Sequence, residues 1–522
     1  MDKFTVSQTT DHEDMRSSDD TQREKGSEQD RRDMERLGVK QQLRRNFTWL
    51  SILGLNVIVG GTWFSWLTSL SFVFLNGGRG GASWIYVASW VFSVFTVLSL
   101  AEMASIAPVA GGQYHWVSIF APPRLQKPLS YLTGWLSTLG WQAFAAASAF
   151  ATGNIILILA SITNPQYVPT KWQEALITIL IAIIAALFNI FAARGLPFFE
   201  RWMFLFFFAG LFAVLIPLWV LAPKASSTEV WTRFGSFGGW ANLGLACAIG
   251  QLTSGGAMIG ADAAVHMAEE VRNASLVVPW AMVGTVVLGP ALGFAMCITI
   301  NYSIQSLQQQ IVDSTAVYPF ISIFQRAVGS QAGAVGMTAA IVVLSFAAAV
   351  NSIAAASREG WAFARDGGFP LSRWWAAVRV VGNTPVPVLA TLAANWLTVF
   401  SALLNLASSE VYDAIISLAT GAVCGSYVLS IGSLIYCRLR GNGLPPRQFS
   451  LGRAGLFVNV IAFLYNAQLV VFSYFPVLAP VTSTNVNYGP VVFVGVIALA
   501  GLCYLFLART YTPPIVHYSR ED

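Results

Sequence analysis

Hydrophobic positions along this chain fall in long, nearly continuous runs rather than in the short segments that build one soluble core. Each run has about 20 residues or more, which is the length that a helix needs to cross the hydrocarbon layer of a bilayer. Polar and charged residues concentrate between the runs. The pattern predicts twelve transmembrane helices, at residues 47–75, 83–107, 130–160, 172–193, 199–222, 241–267, 276–301, 332–356, 386–407, 411–436, 454–479 and 488–509.

The composition agrees with a membrane-embedded chain. Hydrophobic residues make up 55% of the 522 residues and charged residues only 11%, whereas a soluble domain carries roughly a quarter charged residues. The lipid bilayer is therefore an expected partner. The formal net charge of +5 does not indicate nucleic-acid binding, because the basic residues lie in separate short loops and form no single patch.

Basic residues are distributed unevenly between alternate loops. With the N-terminus in the cytosol, basic residues on that side outnumber those on the other by better than about three to one, so the positive-inside rule predicts two cytosolic termini and an even number of helices. The sequon at Asn301 then falls on the outer side and is a candidate for glycosylation. The basic residues predicted on the outer side are Arg79, Lys171, Lys224, Arg233 and Arg326.

The sequence contains no pattern typical of an enzyme or a metal site. Its five cysteines are scattered through apolar segments without a CxxC pair, so neither disulfides nor zinc is indicated. The HExxH, GxSxG and phosphate-loop motifs are missing, which disfavours an integral membrane enzyme. We therefore expect no catalytic residue, no metal and no organic cofactor.

Glycine and polar residues interrupt two of the predicted helices, the first and the sixth. Unwinding a helix inside the membrane exposes backbone N–H and C=O groups, which is tolerated only where they line a cavity or hold a ligand. Close helix packing is the alternative role for such glycines, but matched clusters in two helices favour a substrate site. The residues that we assign to substrate binding on this ground are Asn56, Gly60, Gly61, Thr62, Ser254, Gly255 and Gly256.

Other polar side chains also lie inside predicted helices. An unpaired carboxylate such as Asp262 costs about 2.5 kcal/mol or more in the membrane, so it is predicted to act in gating or in proton coupling, or else to cap the second half of helix 6. His266 lies one turn further on and could share a hydrogen bond with it, or simply pack there. Trp141, Gln142 and Asn351 are further candidates for substrate contacts, with helix packing and interhelical hydrogen bonds as the alternatives.

Three stretches carry a resemblance to a known family. They are AEM at 101–103 with GGQYHW at 111–116, GADAA at 260–264 with EEVRNA at 269–274, and ASR at 356–358 with ARDG at 364–367. With them, nearly all twelve predicted helices resemble the amino acid/polyamine/organocation transporters. Within that superfamily the chain is most similar to the fungal amino acid/choline permeases, which include carriers of γ-aminobutyrate and choline.

The resemblance implies a fold and a mechanism. The expected fold is an all-α membrane protein with a 5+5 inverted repeat, discontinuous helices 1 and 6, and two further helices. The expected function is secondary active transport of an amino acid or an amine such as γ-aminobutyrate or choline, by alternating access and with a proton as the coupling ion. The predicted segments are a disordered tail at 1–46, repeats at 47–222 and 241–437, helices 11 and 12 at 453–510, and a cytosolic tail at 511–522.

The remaining expectations concern gating, location and the alternative functions. Glu102 belongs to one of the family's signatures, and we expect it to form a cytosolic ion pair that changes during gating. The plasma membrane is favoured over the vacuole as the location. A nutrient receptor on the same fold and an exporter of an amine metabolite are the alternatives, whereas a major-facilitator fold is disfavoured by the very short loop between helices 6 and 7.

Overall fold

The computed structural model describes residues 26–164, 166–406, 411–441, 443–483 and 485–513. Within this part of the chain, ten helices are long and apolar enough to cross a membrane, and Val388–Leu404 is a shorter apolar helix. The predicted sixth span consists of two short pieces, Leu243–Gly256 and Ala263–His266. The all-α, multi-pass membrane fold expected from the sequence is confirmed.

Most helices coincide with the predicted spans, and short helices lie in the loops between them. In the first half these are α1 (Glu28–Arg36), α2 (Trp49–Gly60), α3 (Phe64–Thr68), α4 (Leu70–Ile106), α5 (Gln113–Phe120), α6 (Gln126–Thr163), α7 (Lys171–Phe191), α8 (Leu196–Leu221) and α9 (Ser227–Thr232). In the second half they are α10 (Leu243–Gly256), α11 (Ala263–His266), α12 (Ala274–Ser303), α13 (Pro319–Val328), α14 (Gln331–Arg365), α15 (Ser372–Trp375), α16 (Val388–Leu404), α17 (Val411–Leu439), α18 (Gly455–Phe472) and α19 (Gly489–Leu507). A hairpin of β1 (Arg379–Val381) and β2 (Thr384–Val386) pairs in antiparallel register, with Val380 opposite Pro385.

Both predicted interruptions are present. α2 stops because Gly61 takes a left-handed conformation with φ 55°, which glycine adopts without the steric cost of a Cβ atom. The chain resumes as α3 at Phe64. In the second half α10 ends at Gly256, Gly260 has φ 106°, and α11 begins only at Ala263. Each break thus divides one membrane-spanning segment into two halves.

The helices are bundled so that two faces of the molecule can be distinguished. On one face Phe47, just before α2, donates its backbone N–H to Glu270 at 2.9 Å, and Arg36 donates to the carbonyl of Ile106 at the end of α4 at 2.7 Å. We call this the terminal face. On the opposite face, Asn76 donates to the carbonyl of Val477 at 3.0 Å.

Close helix contacts hold the bundle together. The largest contacts join α6 to α14 and α17, and α4 to α10 and α12. Glycine permits the approach of α6 to α17, since a Cβ atom on Gly140 would lie 2.8 Å from the backbone nitrogen of Val423. Large apolar side chains remain exposed on the outer helices, for example Leu505 at 75% and Phe506 at 82%. Such a surface suits contact with lipid.

The segment before the first membrane helix differs from the expected disordered tail. Residues 1–25 and 514–522 of the two predicted tails lie outside the described residues, but α1 packs on the terminal face. The carboxylate of Asp30 is 1% exposed and accepts hydrogen bonds from the backbone N–H groups of Asn273 and Ala274, at 2.9 and 3.0 Å. It also lies 3.3 Å from the guanidinium of Arg45. Asp30 therefore caps the first turn of α12, where negative charge is favourable.

Candidate functional site

A cavity of about 430 Å³ lies beside the two helix breaks. Gly60, at the end of α2, and Gly256, at the end of α10, both line it. Residues of the loop between α18 and α19, including Val477 and Asn487, line it as well. Since Val477 belongs to the opposite face, the cavity extends from the breaks toward that face.

The cavity wall combines aromatic rings with small polar groups. None of the described residues that line it is charged. A solute that carries charge would therefore have to be held by aromatic faces, hydroxyl groups, amides and the dipoles of the interrupted helices. The aromatic lining residues are Phe64, Phe72, Phe144 and Phe475, and the hydroxyl-bearing ones are Ser65, Thr68, Ser69, Ser148, Thr253, Ser345, Ser417, Thr420 and Ser473.

The sequence-predicted binding residues divide into two groups. Gly60 and Gly256 line the cavity, whereas several of the others form contacts that hold the two breaks in place. Asn56 donates to the carbonyl of Ala261 at 2.7 Å and so links one break to the other. Ser254 accepts a hydrogen bond from the Trp66 indole at 3.2 Å.

Glycine and threonine at the breaks are used for close packing. A Cβ atom on Gly255 would lie 3.0 Å from the Leu469 side chain of α18. Thr62, one residue beyond the left-handed Gly61, packs against α12, where a Cβ atom on Gly289 would lie 3.0 Å from its hydroxyl oxygen. The packing role considered from the sequence therefore applies to part of the predicted set.

The polar residues predicted on helices 3 and 8 have different surroundings. Trp141 donates its indole N–H to Asp262 at 3.1 Å, while the neighbouring Gln142 is buried. Asn351 donates to the carboxylate of Glu200 on α8 at 3.0 Å, in a fully buried contact. Trp141 thus belongs to a polar cluster around Asp262, and Asn351 to a separate pair.

Asp262 is the centre of a buried cluster between the cavity and the terminal face. Its side chain is 0% exposed. One oxygen accepts from Gln113 of α5 at 2.6 Å and from Trp141 of α6. The other accepts from the hydroxyl of Tyr427 on α17. Because a carboxylate accepts through both oxygens, this set of donors is complementary to the ionised form.

His266 and Glu359 complete the cluster, which we call the Asp262 cluster. The His266 ring has its Nε2 atom 3.4 Å from Asp262 and 3.9 Å from Glu359, and all three side chains are 0% exposed. Its other nitrogen, Nδ1, lies 2.9 Å from the carbonyl oxygen of Ala110. The predicted contact between His266 and Asp262 is present, and α14 adds a second acid to it.

A layer of ion pairs lies beyond this cluster at the terminal face. Arg365, at the end of α14, binds both oxygens of Glu269 at 2.9 and 3.0 Å. Arg358 contacts Glu270 at 2.9 Å. Glu102 is fully buried and accepts hydrogen bonds from two arginines and one backbone amide: Arg438, Arg447 and Leu451. Glu102, which was predicted to form an ion pair, is thus paired in the interior, as are Glu269 and Glu270. Loss of one partner matters more there than in a surface ion pair.

The side-chain amide of Asn301 already takes part in hydrogen bonds. The side chain is 0% exposed, and its amide nitrogen donates to the carbonyl of Arg79 at 2.8 Å and to the hydroxyl of Ser83 at 3.0 Å. A glycan is attached through this same nitrogen. Glycosylation at Asn301 would therefore require these contacts to be broken.

A pH-dependent stability is expected from Asp366, which follows α14 at the terminal face. Its carboxylate accepts a hydrogen bond from the Tyr114 hydroxyl at 2.8 Å. Burial raises the pKa of Asp366 to about 6 from its ordinary 3.8, although the Arg365 charge and the Tyr114 hydroxyl oppose the rise. The folded state therefore holds this proton more tightly than the unfolded state, so the stabilisation present below the ordinary pKa is lost as pH rises through 6.

The variant Asp366→Asn tests this expectation, because asparagine keeps an acceptor for Tyr114 and cannot ionise. We expect the thermal midpoint of the variant, relative to that of the natural protein, to increase between about pH 4 and pH 7. Unfolding of the detergent-purified proteins, followed across this range, measures the difference. A difference that stays constant or shrinks with rising pH would contradict the assignment.

Several site residues were not singled out from the sequence. Gln113 belongs to one of the family signatures but carries no predicted role. Glu359 lies just beyond the predicted eighth helix, and Tyr427 is one of several tyrosines in apolar segments. One signal could have found Glu359, since it is followed by the apolar residues 360–364 and an acid in such a stretch needs a buried partner.

Comparison with known proteins gives consistent results over the length of the chain. Residues 47–497 match the sequence profile described as amino acid permease. A protein named as an amino acid/polyamine transporter of Macrophomina phaseolina is 33% identical over 431 residues, which cover 81% of this chain and 94% of that protein. The choline transporter of Saccharomyces cerevisiae is 29% identical over 90% of this chain and 82% of its own length. Amino-acid permease BAT1 of Arabidopsis thaliana is 27% identical over 92% of this chain and 95% of its own.

Proposed function

This chain belongs to the amino acid permease family and is a transmembrane transporter of amino acids or related amines, and from this premise we propose that the cavity beside the two helix breaks is its substrate site. The observation that carries the proposal is the meeting of Gly60 and Gly256 at one cavity, each at the end of an interrupted helix. Backbone groups at such ends lack the regular partners of a continuous helix and can bind a solute. The carbonyl of Gly60 accepts from the Ser65 hydroxyl at 3.2 Å and that of Gly256 from the backbone N–H of Ile259 at 3.3 Å, long contacts that a solute can replace.

The uncharged wall favours a small amine or a zwitterion as the substrate. An ammonium group can lie against the faces of aromatic residues such as Phe64 and Phe144, and it is also attracted by the C-terminal ends of α2 and α10. A carboxylate, where the substrate has one, can bind backbone N–H groups at the first break. A γ-aminobutyrate-like or choline-like solute fits this chemistry, in keeping with the name of the yeast relative, choline transporter.

Alternating access is the proposed mechanism. The two breaks support it, since they start two segments, 47–222 and 241–437, that we propose to be repeats related by inverted topology. Rocking of one group of helices against the other would open the cavity to the opposite face and to the terminal face in turn. Proton coupling, cytosolic termini and a plasma-membrane location belong to the same proposal, with the asymmetry of basic loop residues as the support for orientation.

Filling the cavity should abolish transport without unfolding the protein. A Cβ atom on Gly256 would have Thr420 at 3.9 Å as its nearest contact, so Gly256→Val fits the backbone and projects into the cavity. We expect uptake by proteoliposomes to fall at least tenfold, because the valine occupies space that the substrate needs. The probes are radiolabelled choline, γ-aminobutyrate, putrescine and a neutral α-amino acid.

Gly495→Val is the matched control, since a Cβ atom on Gly495 of α19 meets nothing within 4 Å. This variant should keep normal uptake. Equal uptake by Gly256→Val and the natural protein would remove the cavity from the transport pathway. Binding of a probe by the natural protein with neither uptake nor counterflow would instead indicate a receptor on the same fold.

A further inference from the structure

The Asp262 cluster holds two carboxyl groups and one imidazole in the interior, between the cavity and the terminal face. Asp262, His266 and Glu359 come from the second break, α11 and α14, and all are fully buried. The other groups that face them are the neutral Gln113, Ser137 and Trp141, together with the hydroxyl of Tyr427 and the thiol of Cys424 on α17. Within the described part of the chain, the charge balance of the cluster therefore depends on how these three groups share protons.

The hydrogen-bond partners of His266 define its protonation. A carbonyl oxygen can only accept, so Nδ1, which lies 2.9 Å from the carbonyl of Ala110, must carry a hydrogen. A neutral ring would then direct the lone pair of Nε2 toward Asp262 and Glu359, at 3.4 and 3.9 Å. A protonated ring instead directs an N–H group toward these acids. The geometry therefore favours the imidazolium form.

The two acids differ in how well their ionised forms are stabilised. Asp262 accepts hydrogen bonds at both oxygens. By contrast, among the described residues neither carboxyl oxygen of Glu359 has a hydrogen-bond partner of ordinary geometry, and the hydroxyl of Ser137 is the neutral group that faces it. An ionised Glu359 would leave one excess negative charge in the buried cluster, which is costly. One proton on Glu359 removes this charge.

We propose that Glu359 binds the proton that this protein couples to transport, with His266 linking its charge to Asp262; the proposal rests on the proposed transport function. While the terminal face is closed, the Glu359 carboxyl is neutral and His266 pairs with Asp262. When that face opens and water enters, the O–H bond of the carboxyl breaks and the proton passes to water. The carboxylate that remains attracts His266 away from Asp262, which favours the open form of the face until a proton binds again.

Glu200 is the matched comparison, because it is the buried acid of a neighbouring helix. It is 0% exposed, like Glu359, but its partner is the neutral amide of Asn351 at 3.0 Å. It therefore has no link to the Asp262 cluster through a titratable group. Glu200→Gln removes a buried carboxyl without changing the cluster.

Infrared spectroscopy tests proton binding without any substrate. In purified natural protein, we expect a carbonyl-stretch band of a protonated carboxyl group that is lost as pH rises. Glu359→Gln should remove one component of this titrating band and leave the component of Asp366. Glu200→Gln should leave the Glu359 component in place, and Glu359→Asp should restore it. A titrating absorbance in Glu359→Gln as large as that of the natural protein would overturn the proposal, whether or not a transported solute has been found.

Transport of the radiolabelled probes tests coupling. In proteoliposomes, Glu359→Gln should retain counterflow of the probe. Its accumulation of the probe under a proton gradient should be at least tenfold lower than that of the natural protein, because its amide cannot release a proton. Glu200→Gln should retain both activities. Full gradient-driven accumulation by Glu359→Gln, or its loss in Glu200→Gln alone, would contradict the assignment. Failure of the natural protein to carry any probe would count against the proposed function, and the infrared result would still decide on Glu359.

Discussion

Replacing Arg365 with alanine should unfold much of the protein or lower its thermal midpoint severely. The carboxylate of Glu269 is 1% exposed, and Arg365 binds both of its oxygens. Removal of one partner from a buried ion pair leaves an uncompensated charge, which costs about 3–5 kcal/mol. Fluorescence-detected size exclusion and thermal unfolding of the variant measure the loss, and transport should fall in parallel.

The control for this experiment is the exposed ion pair on the opposite face. Arg233 contacts Glu229 at 3.2 Å with its side chain 73% exposed, and exposed pairs of this kind contribute little. Arg233→Ala should therefore leave the thermal midpoint nearly unchanged. The double variant Arg365→Met, Glu269→Met should recover part of the loss, because it removes the unpaired charge. Equal midpoints for Arg365→Ala and Arg233→Ala would show that the Glu269 pair is not a structural contact.

Adding a single methyl group at Gly293 should destabilise the first helix break. A Cβ atom there would overlap the Tyr86 hydroxyl and would lie 3.0 Å from the backbone oxygen of Thr62. Tyr86 cannot withdraw easily, since it is fully buried and packs edge-on against Trp66 with ring centroids 6.3 Å apart. Overpacking of this kind costs about 1–3 kcal/mol, so Gly293→Ala should lower both the thermal midpoint and the rate of uptake.

Gly336→Ala is the comparison variant for this prediction. Gly336 lies within α14 and a Cβ atom there meets nothing within 4 Å, so alanine should be tolerated and should favour the helix slightly. Stability and uptake are measured on both variants in parallel. If Gly293→Ala matches Gly336→Ala in both, close packing of α12 on the break at Thr62 has no role in the fold.

The overall fold could be predicted from the sequence because bilayer crossing imposes a simple rule on composition and length. The interruptions after Gly60 and Gly256 could be predicted for a related reason, since glycine clusters inside an apolar run have few structural explanations. The residues that line the cavity could not be predicted in the same way. Phe144 and Thr253 are ordinary membrane-helix residues, and only tertiary packing brings them together.

The Asp262 cluster illustrates what local patterns cannot supply. Asp262 and His266 are four residues apart, so their contact follows from helical spacing. Gln113, Tyr427 and Glu359 come from three other helices, and no periodicity relates them to Asp262. The order of the early segment was also missed, because α1 is highly charged and gains its structure by contact, with Asp30 serving as the cap of a helix more than 240 residues away.

The bonds of Asp30 have a kinetic consequence for the transport cycle. This carboxylate joins the chain ahead of α2 to the start of α12, through Ala274, and to the guanidinium of Arg45. In the proposed alternating-access mechanism, a movement that separates α2 from α12 at the terminal face must break this tether before a solute can leave there. The strength of the tether therefore enters the activation barrier of that step, and turnover becomes sensitive to residues that never touch the solute.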